Sequence, residues 1–248
     1  METPNWLVPE PYTDVDLGVL KSGKEAQIGL VERVGASGAC LLARKWYLPR
    51  EVSKGVLETM GAARATSFRH DVAYREGRQF RKSRDRRAVE QMTTYGRRLL
   101  QERWTGHEFD VLRTLWEAGA RVPYPVSFDA DVMLMEYVGA LDGAAPQLAQ
   151  ARVPRGQLPH VWEQLVENLH VIVGAGWAHG DLSAFNLLWW EERLWFIDLP
   201  QAVDLAANPQ GLEFLHRDVR TVVRWFTRHG VERDAEVLFA DLVATAFA

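Results

Sequence analysis

Three short runs of apolar residues near the start of the chain predict the strands of an antiparallel sheet. The runs cover residues 17–20, 26–34 and 39–47, and the two segments between them contain Ser-Gly and Gly-Ala-Ser-Gly sequences that suit hairpin turns. Residues 1 to about 15 contain three prolines, so we expect an irregular leader there. The pattern therefore predicts a leader followed by a three-stranded meander.

Beyond the meander, the spacing of apolar residues becomes helical. A period of three to four residues runs through residues 100–116 and stops before Gly119 and Pro123, which are residue types that commonly end helices. The spacing predicts one main helix in this half of the chain.

The remaining pattern predicts a hairpin and then a mostly helical region. Residues 126–139 form two apolar runs around a turn, and helical periods follow in residues 160–175 and 212–230, before a last C-terminal helix. We predict an α+β fold with two lobes. The N-lobe, residues 16–138, contains a small antiparallel sheet and the main helix, and the C-lobe, residues 139–248, is mostly helical.

The composition further limits the class of protein. The chain has 248 residues, of which 47% are hydrophobic, so it can bury a sizeable core. A net charge of −4 gives no general attraction to nucleic acid or membranes. Cys40 is the single cysteine, the N-terminus lacks a signal-peptide pattern, and no apolar run approaches a membrane span. We therefore expect a soluble, cytoplasmic protein.

The clearest chemical pattern lies in residues 177–203. A His-Gly-Asp sequence ends at Asp181, Asn186 follows five residues later, and Asp198 comes after an apolar hairpin. Phosphoryl transfer needs a carboxylate that orients and deprotonates the acceptor hydroxyl, and an amide oxygen and a second carboxylate that hold Mg²⁺ against the nucleotide phosphates. Each residue alone is explained equally well by the preference of Asp and Asn for turns. Their combination predicts the catalytic and metal-binding loops of a kinase.

A lysine and a glutamate further upstream fit the same interpretation. Lys45 lies near the end of the third predicted strand, among apolar and aromatic residues, and is the candidate phosphate-binding lysine. Such a lysine ordinarily extends its ammonium group to solvent, so the assignment requires a partner carboxylate. Glu108 lies on or beside the apolar face of the main helix, where pairing with Lys45 would satisfy both charges. Glu102 and Glu117 are more solvated alternatives.

Two other segments suit contacts with a nucleotide. In the first turn, Ser22, Lys24 and backbone N–H groups would meet phosphates, although the same residues also suit a plain hairpin. The backbone of residues 136–138 could bind adenine, with Met135 and Val138 as apolar walls. An ordinary central strand would account for these last residues equally well.

Residues 64–103 form a basic segment between the meander and the main helix. It contains twelve arginine and lysine residues against five acidic ones. An exposed, solvated helical face is the simpler interpretation, and a docking surface for a phosphate-rich partner such as RNA or a ribonucleoprotein is the alternative. Few aromatic residues are interleaved, which favours the first.

Together these motifs resemble the RIO family of atypical serine protein kinases, in a compact form without a winged helix. The resemblance runs from about residue 14 to residue 227 and is specific in its combination of motifs. The matching segments are the phosphate loop Ser22-Gly23-Lys24-Glu25-Ala26, the hinge Met135-Glu136-Tyr137-Val138-Gly139, the catalytic loop 179–186, the metal loop 197–201 and the following Leu-Glu-Phe-Leu-His-Arg-Asp at 212–218.

The resemblance implies a bilobal protein-kinase-like fold and an ATP-dependent serine/threonine kinase that uses Mg²⁺, or Mn²⁺ in its place, and acts on proteins or on itself. It implies that Asp181 is the base, that Asn186 and Asp198 bind the metal, and that Lys45, paired with Glu108, contacts phosphate. The implied nucleotide-binding residues are Ser22, Lys24, Glu25, Lys45, Glu136 and Val138. Some RIO kinases form a phospho-aspartate and act as ATPases in ribosome maturation, which would involve Asp198 here.

The chain departs from the family pattern in two places, and other functions fit part of the same motifs. Ala184 replaces a glutamate in the catalytic loop, and the basic insert of residues 64–101 is longer than usual. Small-molecule kinases of the aminoglycoside or choline kinase type share the His-Gly-Asp loop. This chain differs from those kinases in its Ser-Gly-Lys-Glu turn and its Gln201, and it lacks a large acidic substrate-binding insertion after Asp198. A slow nucleotide-binding scaffold is a third candidate.

Overall fold

A computed structural model describes residues 3–23, 26–47, 87, 94–129 and 132–248. The main strands are β1 (Tyr12–Ser22), β2 (Ala26–Gly35), β3 (Gly38–Tyr47), β4 (Pro125–Asp129) and β5 (Val132–Glu136). Six shorter strands follow: β6 (Gly139–Ala140), β7 (Gly143–Ala144), β8 (Trp177–Ala178), β9 (Leu187–Trp190), β10 (Arg193–Phe196) and β11 (Val203–Asp204). The helices are α1 (Thr94–Glu117), α2 (Leu158–Gly174), α3 (Gly211–Arg228) and α4 (Ala235–Ala246), with a short 3-10 helix at Arg155–Gln157.

The N-terminal half is a five-stranded antiparallel sheet with the order β1-β2-β3-β5-β4. The predicted meander is present. Residues 3–11 are irregular as predicted, but the irregular segment ends before residue 15, because β1 begins at Tyr12. The early residues of β1 are held by cross-strand polar contacts. Asp14 accepts two hydrogen bonds of 2.8 Å from Arg33 on β2, and the Arg33 guanidinium lies 3.6 Å from the centre of the Tyr12 ring.

Strand β1 lies at one edge of this sheet among the described strands, and it is irregular. Its pairing with β2 shifts register between Asp16 and Gly18 and again between Val19 and Lys21. Gly18 has a φ of +104°, and its N–H donates to Asp16 at 2.8 Å. Every residue of β1 is exposed. The strand therefore bends, and its free edge is too irregular to pair well with a further strand.

Helix α1 packs on the sheet and contributes one face to the larger hydrophobic core. Val111, Leu112 and Leu115 are buried in that core together with Met133 of β5. The helix ends as predicted before Gly119, which has a φ of +87°, and the N–H of Ala120 bonds back to Leu115 at 2.9 Å. This packing fixes α1 against the strands that carry the candidate nucleotide-binding residues.

The C-terminal half is built around α2, which packs against α4, β8 and β10, and whose Trp162 ring lies 5.1 Å from the Phe226 ring of α3. His170 on α2 contacts Thr245 at 2.8 Å and Asp241 at 3.0 Å on α4, so it joins the two helices. The chain between Asp198 and α3 is short, and its strand β11 pairs with β8 beside the His-Gly-Asp loop. None of the helices in the described residues is long and apolar enough to cross a membrane.

Candidate active site

Lys45 and Glu108 form a buried ion pair, as the sequence predicts. The Lys45 ammonium lies 2.8 Å from both carboxylate oxygens of Glu108, whose side chain is 1% exposed. Tyr47 is two residues after Lys45, so it shares the same face of β3, and its hydroxyl donates to Glu108 Oε2. The pair thus becomes a three-residue network that joins β3 to α1.

Charge pairing dominates the electrostatics of this network. Burial alone would lower the pKa of Lys45, but the negative charges of Glu108 and Asp198 reverse that effect and raise it above its ordinary value. Burial and the neighbouring Glu108 also raise the pKa of Tyr47. Lys45 therefore remains a cation and Tyr47 remains a neutral hydrogen-bond donor at physiological pH.

Asp198 is brought to the same lysine from the other half of the molecule. Its Oδ1 lies 2.9 Å from the Lys45 ammonium, and its side chain is 49% exposed. Burial would raise its pKa, but the charge and hydrogen bond of Lys45 outweigh this and lower it. Asp198 also has a φ of +66°, an unfavourable conformation for a residue with a Cβ that often marks functional sites.

The His-Gly-Asp loop and Asp198 meet because the β9–β10 hairpin folds the chain back on itself. The turn uses Glu191 and Glu192, both with positive φ, and the N–H of Ile197 donates to the carbonyl of Asn186 at 3.0 Å. The side-chain amide of Asn186 donates to the Asp181 carbonyl at 2.8 Å and lies 3.5 Å from Asp181 Oδ2. Asp181, Asn186 and Asp198 are thus assembled into one exposed surface.

Asp181 has the environment of a proton acceptor. Its partial burial raises its pKa, while the charges of His179 and Arg217 act in the opposite direction and Asp198 adds to the increase. Carboxylates with raised pKa values at such sites are suited to accept a proton during catalysis.

Side chains of α3 hold the loop that carries Asp181. Asp218, which is 2% exposed, accepts hydrogen bonds from the N–H groups of Gly180 at 2.7 Å and Leu182 at 3.0 Å. Arg217 donates to the Gly180 carbonyl. His179 is buried and lies 3.1 Å from the carbonyl of Ile197, so it helps to hold the loop in place.

A close backbone contact makes glycine necessary at position 180. Gly180 has a φ of +80°, and a Cβ there would overlap the carbonyl oxygen of Gln201 and lie 2.9 Å from its carbonyl carbon. The loop therefore packs directly on the segment that follows the metal-binding Asp198 candidate.

The predicted hinge lies between the sheet and the C-terminal half. The N–H of Glu136 bonds to the Tyr124 carbonyl at 2.8 Å, and the Glu136 carboxylate accepts from the Tyr124 N–H at 3.0 Å. The Val138 carbonyl accepts from Ala145 at 3.0 Å, whereas its N–H has no partner within the described residues. Val138 therefore offers a backbone donor, and the Glu136 side chain serves to join β5 to Tyr124.

Only part of the predicted phosphate loop can be described. Ser22 ends β1, and its hydroxyl accepts a hydrogen bond from Gln27 at 3.0 Å. The charge of Lys21, near the end of β1, makes a minor contribution to the lowered pKa of Asp198. Lys24 and Glu25 lie outside the described residues, as does nearly all of the basic segment 64–103 apart from Arg87 and the backbone of α1.

The donor set suits a magnesium ion. Asn186 uses its amide N–H₂ toward Asp181, which leaves its side-chain oxygen as an acceptor, and Asp198 supplies a half-exposed carboxylate. No cluster of three His, Cys, Asp or Glu side chains that could hold a metal occurs among the described residues. Two protein oxygens fit Mg²⁺, which commonly takes only one or two carboxylates and completes its shell with phosphates and water.

Sequence reasoning gave two residues of this site no role. Tyr47 completes the Lys45–Glu108 network, and the two-residue spacing from Lys45 on a strand was the available signal. Asp218 holds the catalytic loop from 38 and 36 residues away, and its place at the end of the matching segment 212–218 was the available signal.

Residues 64–238 match the family model described as the RIO domain. A RIO-type serine/threonine-protein kinase Rio1 from Haloferax volcanii is 31% identical over 233 residues, which cover 94% of this chain and 70% of that protein. The protein of the same name from Thermoplasma acidophilum is 33% identical over 133 residues, which cover 54% of this chain and 68% of that protein. Because these relatives are protein kinases, a small-molecule kinase and an inactive scaffold are not favoured.

Solved structures confirm the predicted protein-kinase-like fold. The Rio2 kinase from Chaetomium thermophilum is 21% identical, has a TM-score of 0.64, and covers 93% of this chain, which spans 63% of that one. A complex of the same kinase with ADP, Mg²⁺ and phosphoaspartate gives a TM-score of 0.63, with 62% of that chain covered.

Proposed function

Because this chain belongs to the RIO family of serine/threonine protein kinases, we propose that it transfers the γ-phosphate of ATP to a protein hydroxyl with Asp181 as the base. The observation that carries the proposal is the joining of Lys45, Glu108 and Asp198 by hydrogen bonds of 2.8 to 2.9 Å across the two halves of the molecule. Lys45 is thereby held beside the carboxylate that would bind the metal.

Each remaining residue has a defined task in this proposal. Lys45 binds phosphate oxygens, and Glu108 and Tyr47 orient its ammonium group. Asn186 and Asp198 would hold Mg²⁺, which when bound neutralises charge on the phosphates. Ser22, together with Lys24 and Glu25, would cover the phosphates, and the Val138 N–H and the backbone of Glu136 would bind adenine.

Asp181 orients the acceptor hydroxyl and accepts its proton as the new P–O bond forms and ADP leaves. Its raised pKa suits this task. The acceptor is a serine or threonine of another protein or of this chain itself, in a cytoplasmic setting. A ribonucleoprotein contact through residues 64–103 is a further part of the proposal and rests on the charge of that segment.

Asp198 is a candidate phosphate acceptor in its own right. Its half-exposed carboxylate beside Lys45 could attack the γ-phosphorus, release ADP and form an aspartyl phosphate that water then hydrolyses, which would make the protein an ATPase. The complex of Rio2 kinase named above contains a phosphoaspartate.

The first test is incubation with γ-labelled ATP and Mg²⁺ with and without a generic protein acceptor. We expect Asp181→Asn to lower turnover by about 100-fold or more while ATP affinity is retained, because the variant loses the base and keeps the nucleotide-binding groups. Equal activity of wild type and variant would contradict the role of Asp181. Label released by hydroxylamine would identify an aspartyl phosphate, and resistant label a phosphorylated serine or threonine.

A further inference from the structure

A basic groove runs along the exposed side of α3, outside the residues assigned to nucleotide and metal. Its volume is about 370 Å³, and the described residues that line it are Glu213, His216, Arg217, Arg220, Thr221 and Arg224. Its three arginines fall within about 60° on the helix, because residues three and seven apart share a face. They form a stripe about 10 Å long, at 1.5 Å per residue.

The cations of this groove are only partly used within the protein. Neither Arg220 nor Arg224 has an ion-pair or hydrogen-bond partner in the part of the chain that the structure describes. The acidic side chains in and beside the groove are fewer than its arginines, and one of them already binds a histidine. Glu213 lines the groove, and Glu236 of α4 bonds to His216 at 2.9 and 3.0 Å. The groove thus keeps an excess of positive charge.

The groove begins at the catalytic loop. Arg217 lines it and also donates to the carbonyl of Gly180, the residue before Asp181. A protein segment that places its hydroxyl at Asp181 and continues along α3 would therefore meet the Arg217 end of the stripe first. An extended peptide covers about 3.3 Å per residue, so the stripe matches about three successive residues of such a segment.

We propose that the groove lined by Arg217, Arg220 and Arg224 binds acidic residues that flank the phosphorylated hydroxyl of a protein acceptor. This proposal rests on the proposed function, because it defines the class of substrate that the same site phosphorylates. Continuity with the Asp181 loop favours a peptide, because the acceptor hydroxyl must reach Asp181, whereas positive charge by itself suits RNA equally well. Among the described residues one face of α3 lines the groove, and a stripe of about 10 Å suits a short peptide segment.

The test compares two labelled ten-residue peptides that contain one serine followed by three aspartates or by three asparagines. Binding is measured by fluorescence anisotropy at low and at physiological salt for wild type, the double variant Arg220→Ala/Arg224→Ala and the control Arg228→Ala. Arg228 lies on the same helix, one turn beyond the groove, and does not line it. Arg217 is left unchanged because it supports the catalytic loop.

We expect wild type and Arg228→Ala to bind the acidic peptide about tenfold more tightly at low salt, and the double variant to keep at most about a twofold preference. Charge reversal by Arg220→Glu/Arg224→Glu should transfer the preference to a peptide with three lysines. An unchanged preference in the double variant would overturn the proposal. So would displacement of the acidic peptide from wild type by an equally charged RNA oligonucleotide at lower concentration.

Phosphorylation of the same two peptides separates this proposal from the proposed function. If wild type phosphorylates both peptides and the double variant loses the lower KM for the acidic peptide, the kinase function and the groove proposal are both supported. Selective binding without phosphorylation of either peptide or of the generic acceptor would support the groove and contradict the kinase assignment. Phosphorylation without any preference would support the kinase and overturn the groove.

Discussion

At the scale of single residues, the Lys45–Glu108 pair shows that a buried charge is stable only together with an oppositely charged partner. Glu108 is 1% exposed, and an unpaired carboxylate at such a position would be strongly destabilising. The pair could be predicted because Lys45 and Glu108 each lie on an otherwise apolar face. The hydroxyl of Tyr47 was not predicted, since a strand pattern gives the face of a residue and not the partner of its polar atom.

Tyr47→Phe tests the third member of this network. The change removes a hydrogen bond to a buried carboxylate, so we expect the free energy of unfolding to fall by about 1.5–3 kcal/mol. The KM for ATP should rise because Lys45 is less well oriented. Tyr137→Phe is the matched control, since that hydroxyl makes only a 3.3 Å contact with the Ala140 carbonyl. Equal effects of both variants, by urea denaturation and steady-state kinetics, would contradict a special role of Tyr47.

Gly180→Ala tests the close packing of the catalytic loop against the residues after Asp198. Gly176→Ala is its control, because the two glycines have similar φ angles of +86° and +80° but only position 180 has atoms where the Cβ would lie. The left-handed conformation should cost each variant about 1–2 kcal/mol. We expect at least about 2 kcal/mol more for Gly180→Ala from the overlap with Gln201, measured by denaturation. Similar losses in the two variants would show that the loop can shift freely.

At the scale of secondary-structure elements, α3 acts as the support of the catalytic loop through Asp218. Asp218→Asn should lower kcat by about 100-fold with little change in the KM for ATP, because an amide can accept only one of the two N–H bonds and the loop loses its position. Asp204→Asn is a comparison on the neighbouring β11, since that carboxylate binds local backbone N–H groups outside the loop. A change in KM alone would contradict the positioning role.

The same residue predicts a pH dependence of stability. Burial raises the pKa of Asp218 above its ordinary value of 3.8, and the charge of His179 and the backbone donors offset only part of this. The folded protein then holds the proton more tightly than the unfolded chain, so this group contributes less stability as pH rises through the two pKa values. The free energy of unfolding of wild type minus that of Asp218→Asn should therefore fall as pH rises above about 4. A difference that grows with pH would contradict a raised pKa of Asp218 in the folded protein.

The elements also show what a sequence pattern can and cannot give. The bounds of α1 and the β9–β10 hairpin follow from local periodicity and turn residues. The start of β1 at Tyr12 does not, because Asp14 and Arg33 meet only once the sheet has formed. The contact of Asp218 with the loop around Asp181 likewise depends on how α3 packs in the assembled C-terminal half.

At the scale of the whole molecule, the two halves are tied together through the site itself. Lys45 of the sheet binds Asp198 of the metal loop, and His107 of α1 lies 3.1 Å from the Ala202 carbonyl. A nucleotide held by groups from both halves should stabilise the entire fold. The kinase-like arrangement could be predicted from the motif order, whereas these cross-links required the assembled structure.

Mg²⁺ and a non-hydrolysable ATP analogue at about 100 times Kd should stabilise wild type by about 2.7 kcal/mol, which is measurable as a rise in Tm. Asp198→Asn should lose most of this gain at the same concentrations because it lacks one of the two metal-binding oxygens. Asp129→Asn, an exposed change at the end of β4, should retain it. A full Tm increase in Asp198→Asn, or an equal one with EDTA in place of Mg²⁺, would contradict the metal role.

The irregular strand β1 also bears on how the protein behaves at high concentration. It exposes Val15, Leu17, Val19 and Leu20 at an edge of the described sheet, a composition that favours strand-to-strand aggregation between molecules. Asp14, Asp16 and the two register shifts oppose this, because charges repel and a bent edge cannot continue a regular ladder. Deleting Gly18 would remove one of the two register shifts, so we expect this variant to precipitate at a lower concentration than wild type, as measured by light scattering.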